Sequence, residues 1–386
     1  MIGRARARVL NLPNYFLNRR NLLAYRALVV ADRIRLAQPL WQPAAPYLNT
    51  ASFGLPPQPA WDALQAALAD WREGRTSWEP WGESTGRARA TFARLLAVGA
   101  ERVATSNTVS QLVGLVAAAI PDGSRVVAPE LDFSSLLFPF LAQRDRGVEV
   151  RTVPLDRLAD AVDGDTDVVA FSAVQSATGE VADLDAVVAA AREHGAITVL
   201  DATQACGWLP LDGSRFDAVA CAGYKWLLSP RGTAFLALGD ELLERVRPLA
   251  PGWWAGEDPH ATYYGTTMRL AADARRLDTS PAWFSWVGAA PALEVLEEVG
   301  IDAIREHDVA LANRFRAGLG LPPSDSAIVS TDVPGAAERL DRAGIRASVR
   351  ASSLRVSFHV YNTDADVDAA LEALTAGGLA SAFPPG

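Results

Sequence analysis

Two charged residues stand where apolar strands end. Residues 196–202 and 218–222 are apolar runs of strand length; Asp201 closes the first and Lys225 follows the second. A carboxylate at the carboxyl end of a buried strand is costly unless a cation or hydrogen-bond donors meet it, so Asp201 demands a partner. Lys225 answers that demand. An amine held among Tyr224, Trp226 and Leu227 has a lowered pKa and becomes a candidate for imine chemistry. Together the two outline a pyridoxal phosphate site, in which the lysine forms a Schiff base with the cofactor aldehyde. The aspartate keeps the pyridine nitrogen protonated, so that the ring acts as an electron sink. A turn-capping aspartate and a surface lysine would be the ordinary account. Gln204, Gly207, the aromatic Tyr224 and the Ser229-Pro230-Arg231-Gly232 turn all speak against it.

The run DATQACGWLPLD from Asp201, followed by AGYKWLLSPRG from Ala222, resembles the signature of class V pyridoxal phosphate enzymes. That branch holds cysteine desulfurases, isopenicillin epimerase-like proteins, kynureninase and several aminotransferases. The resemblance runs from about Tyr47 to about Leu374, and its motifs specify cofactor and fold more closely than reaction. It implies that Val109 and Ser110 occupy a phosphate cup, that Phe133 stacks on the pyridine, and that Ser176, Gln175 or Gln204 meets the phenolic oxygen. It also implies that Tyr224 reaches the phosphate, and that Thr279-Ser280-Pro281 is the turn through which one subunit's Ser280 meets the other's phosphate, hence a homodimer with shared sites. Arg355, in an apolar-patterned strand, matches the family's carboxylate-binding arginine in R-x-S-x-x-x-Y-N-T. A planar guanidinium there can clamp an α-carboxylate by two parallel hydrogen bonds, whereas pattern alone suggests an internal salt bridge.

The elements that must position these residues alternate. Strands are expected at 103–106, 125–129, 148–153, 167–174, 196–203, 218–222 and 233–238, with helices at 109–120, 134–144 and 183–194 between several of them. Such alternation predicts an α/β fold: a seven-stranded, mostly parallel sheet covered by helices, with its ligand beyond the strands' carboxyl ends. The segment Ser106–Ser110 then puts hydroxyls and free amides at a positive helix terminus, suited to a phosphate. Upstream, the segment from Tyr47 to Pro57 is extended and ends in turn chemistry, with Ser52-Phe53-Gly54 placed to shape the pocket. A helix is expected at 59–72 and an aromatic loop at Trp78–Trp81. Trp253-Trp254 and Tyr263-Tyr264 either line the substrate entrance or pack. Downstream, a helix at 302–318, strands at 328–333, 345–349 and 354–360, and a helix at 364–375 form a smaller α+β C-terminal domain. The expected division is 1–38, 39–290 and 291–386.

Composition narrows the partners. A length of 386 residues suits two or three lobes, and 49% apolar content is that of a globular protein. Net charge −9 argues against nucleic acid and anionic membranes as partners. Cys206 and Cys221 offer neither a disulfide framework nor metal spacing, and His194, His260, His307 and His359 are scattered, so no metal is expected. The first 38 residues carry eight arginines and one acid, Asp32. They are read as a dispensable basic extension, or as a start placed upstream of the true one. No stretch is long and apolar enough to span a membrane, and a cytoplasmic, reducing location is expected.

An α-amino acid is the expected substrate, with Lys225 taking its Cα proton. A persulfide-forming desulfurase needs a mobile cysteine near the C-terminal lobe, and none follows Cys221. Transamination is placed first, β-elimination by a C–S lyase second, and epimerisation third for want of a second acid–base residue. A non-catalytic cofactor-binding protein is the alternative of another class, opposed by the presence of Lys225, Asp201 and Arg355 together.

Overall fold

In the computed structural model, which describes residues 30–375, the apolar runs become strands. Arg4, Arg6, Arg8, Arg19, Arg20 and Arg26 lie outside the described residues. Chain order begins with α1 (30–37), α2 (Gln58–Arg72), α3 (Glu79–Leu95), β1 (Val103–Ser106), α4 (Val109–Ala119), β2 (Arg125–Pro129) and α5 (Ser134–Leu141). It continues through β3 (Glu149–Val153), β4 (Val168–Ser172), α6 (Leu184–His194), β5 (Ile197–Asp201), β6 (Ala218–Ala222), β7 (Ala234–Leu238) and α7 (Asp240–Arg245). These seven strands form one sheet in the order β1-β7-β6-β5-β4-β2-β3. Only β7 runs against its neighbours, so the sheet is mostly parallel as expected. Strands β4, β6 and β7 are buried along their whole length, and β5 after Ile197, because helices cover both faces. On one side α4 and α5 pack on the sheet; on the other lie α3, α6 and α8 (Trp283–Val299).

The aromatic stretch at Trp78–Trp81 is not a loop. It opens α3, a helix of 17 residues, with Pro80 in the first turn where a missing N–H is harmless. Large apolar residues are sparse in α3; Gly82, Ser84, Thr85, Ala88 and Ala93 are buried instead, so the apolar stripe that signals a helix is faint. Trp78, Trp253, Trp254 and Trp283 pack edge to face, tilted or stacked at 5.0–6.3 Å. Their mutual packing, rather than the lining of the pocket described below, is what these rings do.

The second lobe follows α8: α9 (Ile301–Gly318), β8 (Ile328–Thr331), α10 (Ala336–Arg342), β9 (Ser348–Arg350), β10 (Ser353–Ser357) and α11 (Asp364–Thr375). Its antiparallel sheet has the order β8-β10-β9, which puts Arg355 on the central strand. The strand expected at 345–349 lies later because Ile345 is spent in the small lobe's core. α10, seven residues between the strands β8 and β9, is a helix beyond those expected. The segment Tyr47–Asn49 bridges to Arg346 and Ser357, and Leu48 joins that same core. Near the start, Ile34 and Ala37 are buried in the main core and Gln38 Nε2 donates to the Asn362 carbonyl at 3.0 Å. The expected boundary at residue 38 therefore falls inside a packed segment.

Candidate active site

Asp201 is the last residue of β5, in register with Ser172 of β4 and Ala220 of β6. It is 4% exposed, and its Oδ1 accepts the Thr203 N–H at 2.8 Å. Burial holds its carboxyl above the usual carboxylate range, against the opposing pull of the Thr203 hydrogen bonds and the Lys225 charge. Lys225 follows β6 in the same pocket and is 6% exposed. It is the sole lysine of the chain. Burial pushes its amine down to about 8, although Asp201 pulls it back up. Its Nζ lies 5.2 Å from the Phe133 ring centroid and 5.9 Å from that of Tyr224. Two glycines wall the backbone around it: a Cβ on Gly54 would sit 2.0 Å from the Lys225 carbonyl oxygen, and one on Gly207 2.3 Å from that of Trp226.

At one end of the pocket α4 presents its N-terminus. The amides of Val109 and Ser110 belong to a first turn that has no intrahelical acceptors. Asn107 Oδ1, on the same rim, is buried without a partner, a polar group that the bare protein leaves unserved. Tyr224 and Arg231 complete this end, with the guanidinium 4.9 Å from the ring centroid. The free amides, hydroxyls and guanidinium are donors that fit a phosphate, whereas Asn107 Oδ1 is an acceptor and calls for a donor instead.

The other end is a hydrogen-bond network. Ser176 Oγ accepts from Gln204 Nε2 at 2.9 Å and from Arg355 Nη1 at 3.2 Å, which leaves its own hydrogen free to be donated into the pocket. Gln204 is otherwise spent: Nε2 also donates to the Ala51 carbonyl, and Oε1 accepts from Trp226 Nε1. Arg355, 1% exposed, donates to the Ser176 carbonyl at 2.5 Å and to Ser52 Oγ at 2.8 Å. No acid pairs with it among the described residues, contrary to the salt bridge that pattern alone suggests. Burial, then the charge of Arg350, pushes it down to about 10.

Val109, Ser110, Phe133, Ser176, Asp201, Gln204, Tyr224 and Lys225 thus surround one cavity. Gln175 does not: its Nε2 donates to Asp132, which also accepts from the Ser172 amide and so fixes the loop carrying Phe133. Ser280 is exposed and does not line this chain's cavity, on a turn tethered by the buried Asp278–Arg89 pair. Thr203 and Arg231 are site residues beyond those expected, while Ser52 and Asn107 lie in segments expected at the pocket but without roles of their own. Arg231 sat in a turn already singled out; Thr203 lies beside a foreseen residue with no spacing signal of its own.

The family model for aminotransferase class-V matches residues 72–332. The chain belongs to that family. Among curated relatives, this class V chain is 28% identical over 323 residues to the uncharacterized aminotransferase YcbU of Bacillus subtilis, covering 78% of this chain and 86% of that one. It is 28% identical to isopenicillin N epimerase of Amycolatopsis lactamdurans, over 86% and 95% of the two chains. Structures of C-DES share the fold: the cystine C-S lyase with its product cysteine persulfide has TM-score 0.77, and a mutant with glycine covalently linked to its PLP cofactor 0.78. Each is 20% identical, and they cover 85% and 86% of this chain and 96% of C-DES. The chain is an enzyme, and its cofactor is pyridoxal 5′-phosphate.

Proposed function

We propose that the chain is an aminotransferase that uses Lys225 as its covalent anchor and proton carrier on an α-amino acid. The observation that carries this reading is a sole lysine, buried and with its amine lowered to about 8, in one pocket with Asp201 and beside Arg355. Thirty-six positions carry lysine or arginine, and arginine fills all others. Arginine cannot give up its proton near neutrality, so the one amine stands where a neutral nitrogen is needed.

Bound pyridoxal phosphate supplies an electron sink for the substrate's Cα. Val109, Ser110, Tyr224 and Arg231 would hold its phosphate, Phe133 would cover the ring face, and Ser176 Oγ would donate to the phenolic oxygen. Asp201 holds the proton on the pyridine nitrogen. Arg355 would orient the substrate through its carboxylate, and Lys225 Nζ would take the proton from Cα and carry it for return. Ser280 reaches the phosphate of a second subunit in a cytoplasmic homodimer.

β-Elimination is the second reading, favoured by Phe133. Phenylalanine cannot protonate a leaving group, but a thiolate leaves without help, so a C–S substrate suits this pocket. Both cysteines are buried, and burial pushes the Cys221 thiol well up, which leaves no persulfide carrier.

Purified yellow protein mixed with an amino-acid panel, without keto acid, decides between these. One stoichiometric spectral change without ammonia identifies an aminotransferase; ammonia over many turnovers identifies a lyase. In Lys225→Ala both the yellow absorbance and turnover should vanish, and retention of both would sink the anchor.

A further inference from the structure

Arg350 and Arg355 belong to one face of the small sheet. Arg350 pairs with Ser353 across the β9–β10 hairpin, and Ser353 and Arg355 are two residues apart, so the two arginines are diagonal neighbours on the same side. Both reach the same hydroxyl. Arg355 Nη2 donates to Ser52 Oγ at 2.8 Å, and Arg350 Nη2 donates to it at 3.1 Å.

Two cations converging on one serine repel each other. Arg350's remaining hydrogen bond goes to the Val349 carbonyl at 2.7 Å, and among the described residues neither arginine has an acidic partner. Such a pair is notable in a chain of net charge −9, where acids outnumber bases. Arg355 Nε is also buried with no partner. Burial chiefly lowers the Lys225 pKa, and the charges of Arg355 and Arg350 add to it, which places both within electrostatic reach of the amine.

The turn that sets Arg350 there is disfavoured. Ala351 at φ +46° and Ser352 at φ +71° are consecutive side-chain-bearing residues in the left-handed region, where a two-residue hairpin ordinarily uses asparagine and glycine. Strain of this kind gathers at functional sites. Arg231 lies at the other end of the pocket, against Tyr224, and the α4 terminus accounts for it.

We propose that Arg350 forms a distal-anion subsite: with Arg355 on the α-carboxylate, Arg350 binds a second carboxylate carried by the substrate's side chain. This rests on the α-carboxylate reading of Arg355 given above. The preferred substrate is then a dicarboxylic α-amino acid, or one whose β-substituent ends in a carboxylate. A monocarboxylate neutralises one guanidinium and leaves the other facing it; a second carboxylate relieves both.

The test measures dissociation constants of glutarate and butyrate on the cofactor-loaded protein by calorimetry, at low salt because Arg350 is exposed and screened. Neither ligand carries an amine, so the result does not depend on turnover. Wild type should bind glutarate about tenfold or more tightly than butyrate, the scale of one charge-assisted hydrogen bond. In Arg350→Gln the ratio should fall to about one, and Arg350→Lys should keep part of it. No preference in wild type, or a ratio that survives Arg350→Gln, overturns the subsite. Arg355→Ala checks the parent reading separately, since it should weaken both ligands.

Discussion

The imidazole of His359 spans two acceptors, with Nε2 3.0 Å from the Trp226 carbonyl and Nδ1 3.1 Å from Asp308 Oδ2. Histidine and aspartate are both fully buried. Trp226 follows Lys225, so the small lobe grips the backbone that carries the reactive amine. The carbonyl can only accept, so Nε2 carries a hydrogen toward it, and one further hydrogen bridges Nδ1 and Asp308 Oδ2. Burial pushes the Asp308 carboxyl up, while the charge and hydrogen bond of His359 pull it down.

His359→Phe strands a buried carboxylate and an unserved carbonyl, and should cost about 3–5 kcal/mol in denaturant unfolding. His359→Phe with Asp308→Leu leaves no unpaired charge and should recover much of that loss. Equal losses in the single and double variants would mean that the pair contributes only volume.

Lys225 gives a prediction with a sign. With its amine at about 8 rather than the ordinary 10.5, roughly a tenth is neutral at pH 7 instead of fewer than about one in a thousand. Only the neutral amine attacks an aldehyde, so the rate of cofactor capture by apoprotein should rise with pH and level off above about 8. Asp201→Asn removes a charge that raises the lysine's pKa, so its plateau should begin at lower pH. Stopped-flow absorbance reads both; a wild-type rate still climbing at pH 10 would refute the lowered pKa.

Much of this was legible in the sequence, for physical reasons. The central strands of the large sheet were readable because strands buried on both faces are unbroken apolar runs, as in Val168–Ser172 and Ala218–Ala222. α3 was not, because a helix that packs closely through glycine, serine and alanine shows little apolar periodicity. Asp201 and Lys225 announced themselves as charges at buried ends. The Ser52–Arg355–Ser176–Gln204 network could not be read, since it joins segments up to 303 positions apart. Gln175 illustrates the limit: one residue from Ser176, it turns to Asp132 instead of the cavity.

Gly54 should tolerate no side chain, though its φ is ordinary. A Cβ would lie 2.0 Å from the Lys225 carbonyl oxygen and 2.5 Å from Leu228 Cδ2. Gly54→Ala must therefore push the 47–57 segment away and take Ser52 from Arg355 and Phe53 from Tyr224, whose rings are 5.2 Å apart. Stability should fall by about 1–3 kcal/mol, and KM for α-amino acids should rise more than cofactor affinity falls. Gly207→Ala meets both a contact of 2.3 Å and a φ of +114°, so its loss of stability should be larger. If Gly54→Ala leaves KM alone, the segment does not shape the substrate side.

Residues 30–38 test where the fold begins. Ile34 is 3% exposed and Ala37 fully buried, both in the main core, and Arg33 Nη1 donates to the Val299 carbonyl at 3.3 Å. Removing residues 1–38 discards these contacts and the Gln38 bond to Asn362, whose side chain in turn donates to the Tyr47 carbonyl at 3.0 Å. The loss passes from the N-terminal helix to the segment that frames the pocket. Burial of Ile34 alone is worth about 2 kcal/mol, so the truncated protein should unfold at a lower denaturant concentration, and Ile34→Ala should reproduce a large share of that change. An unaltered midpoint in both would show that the segment is dispensable to its last residue.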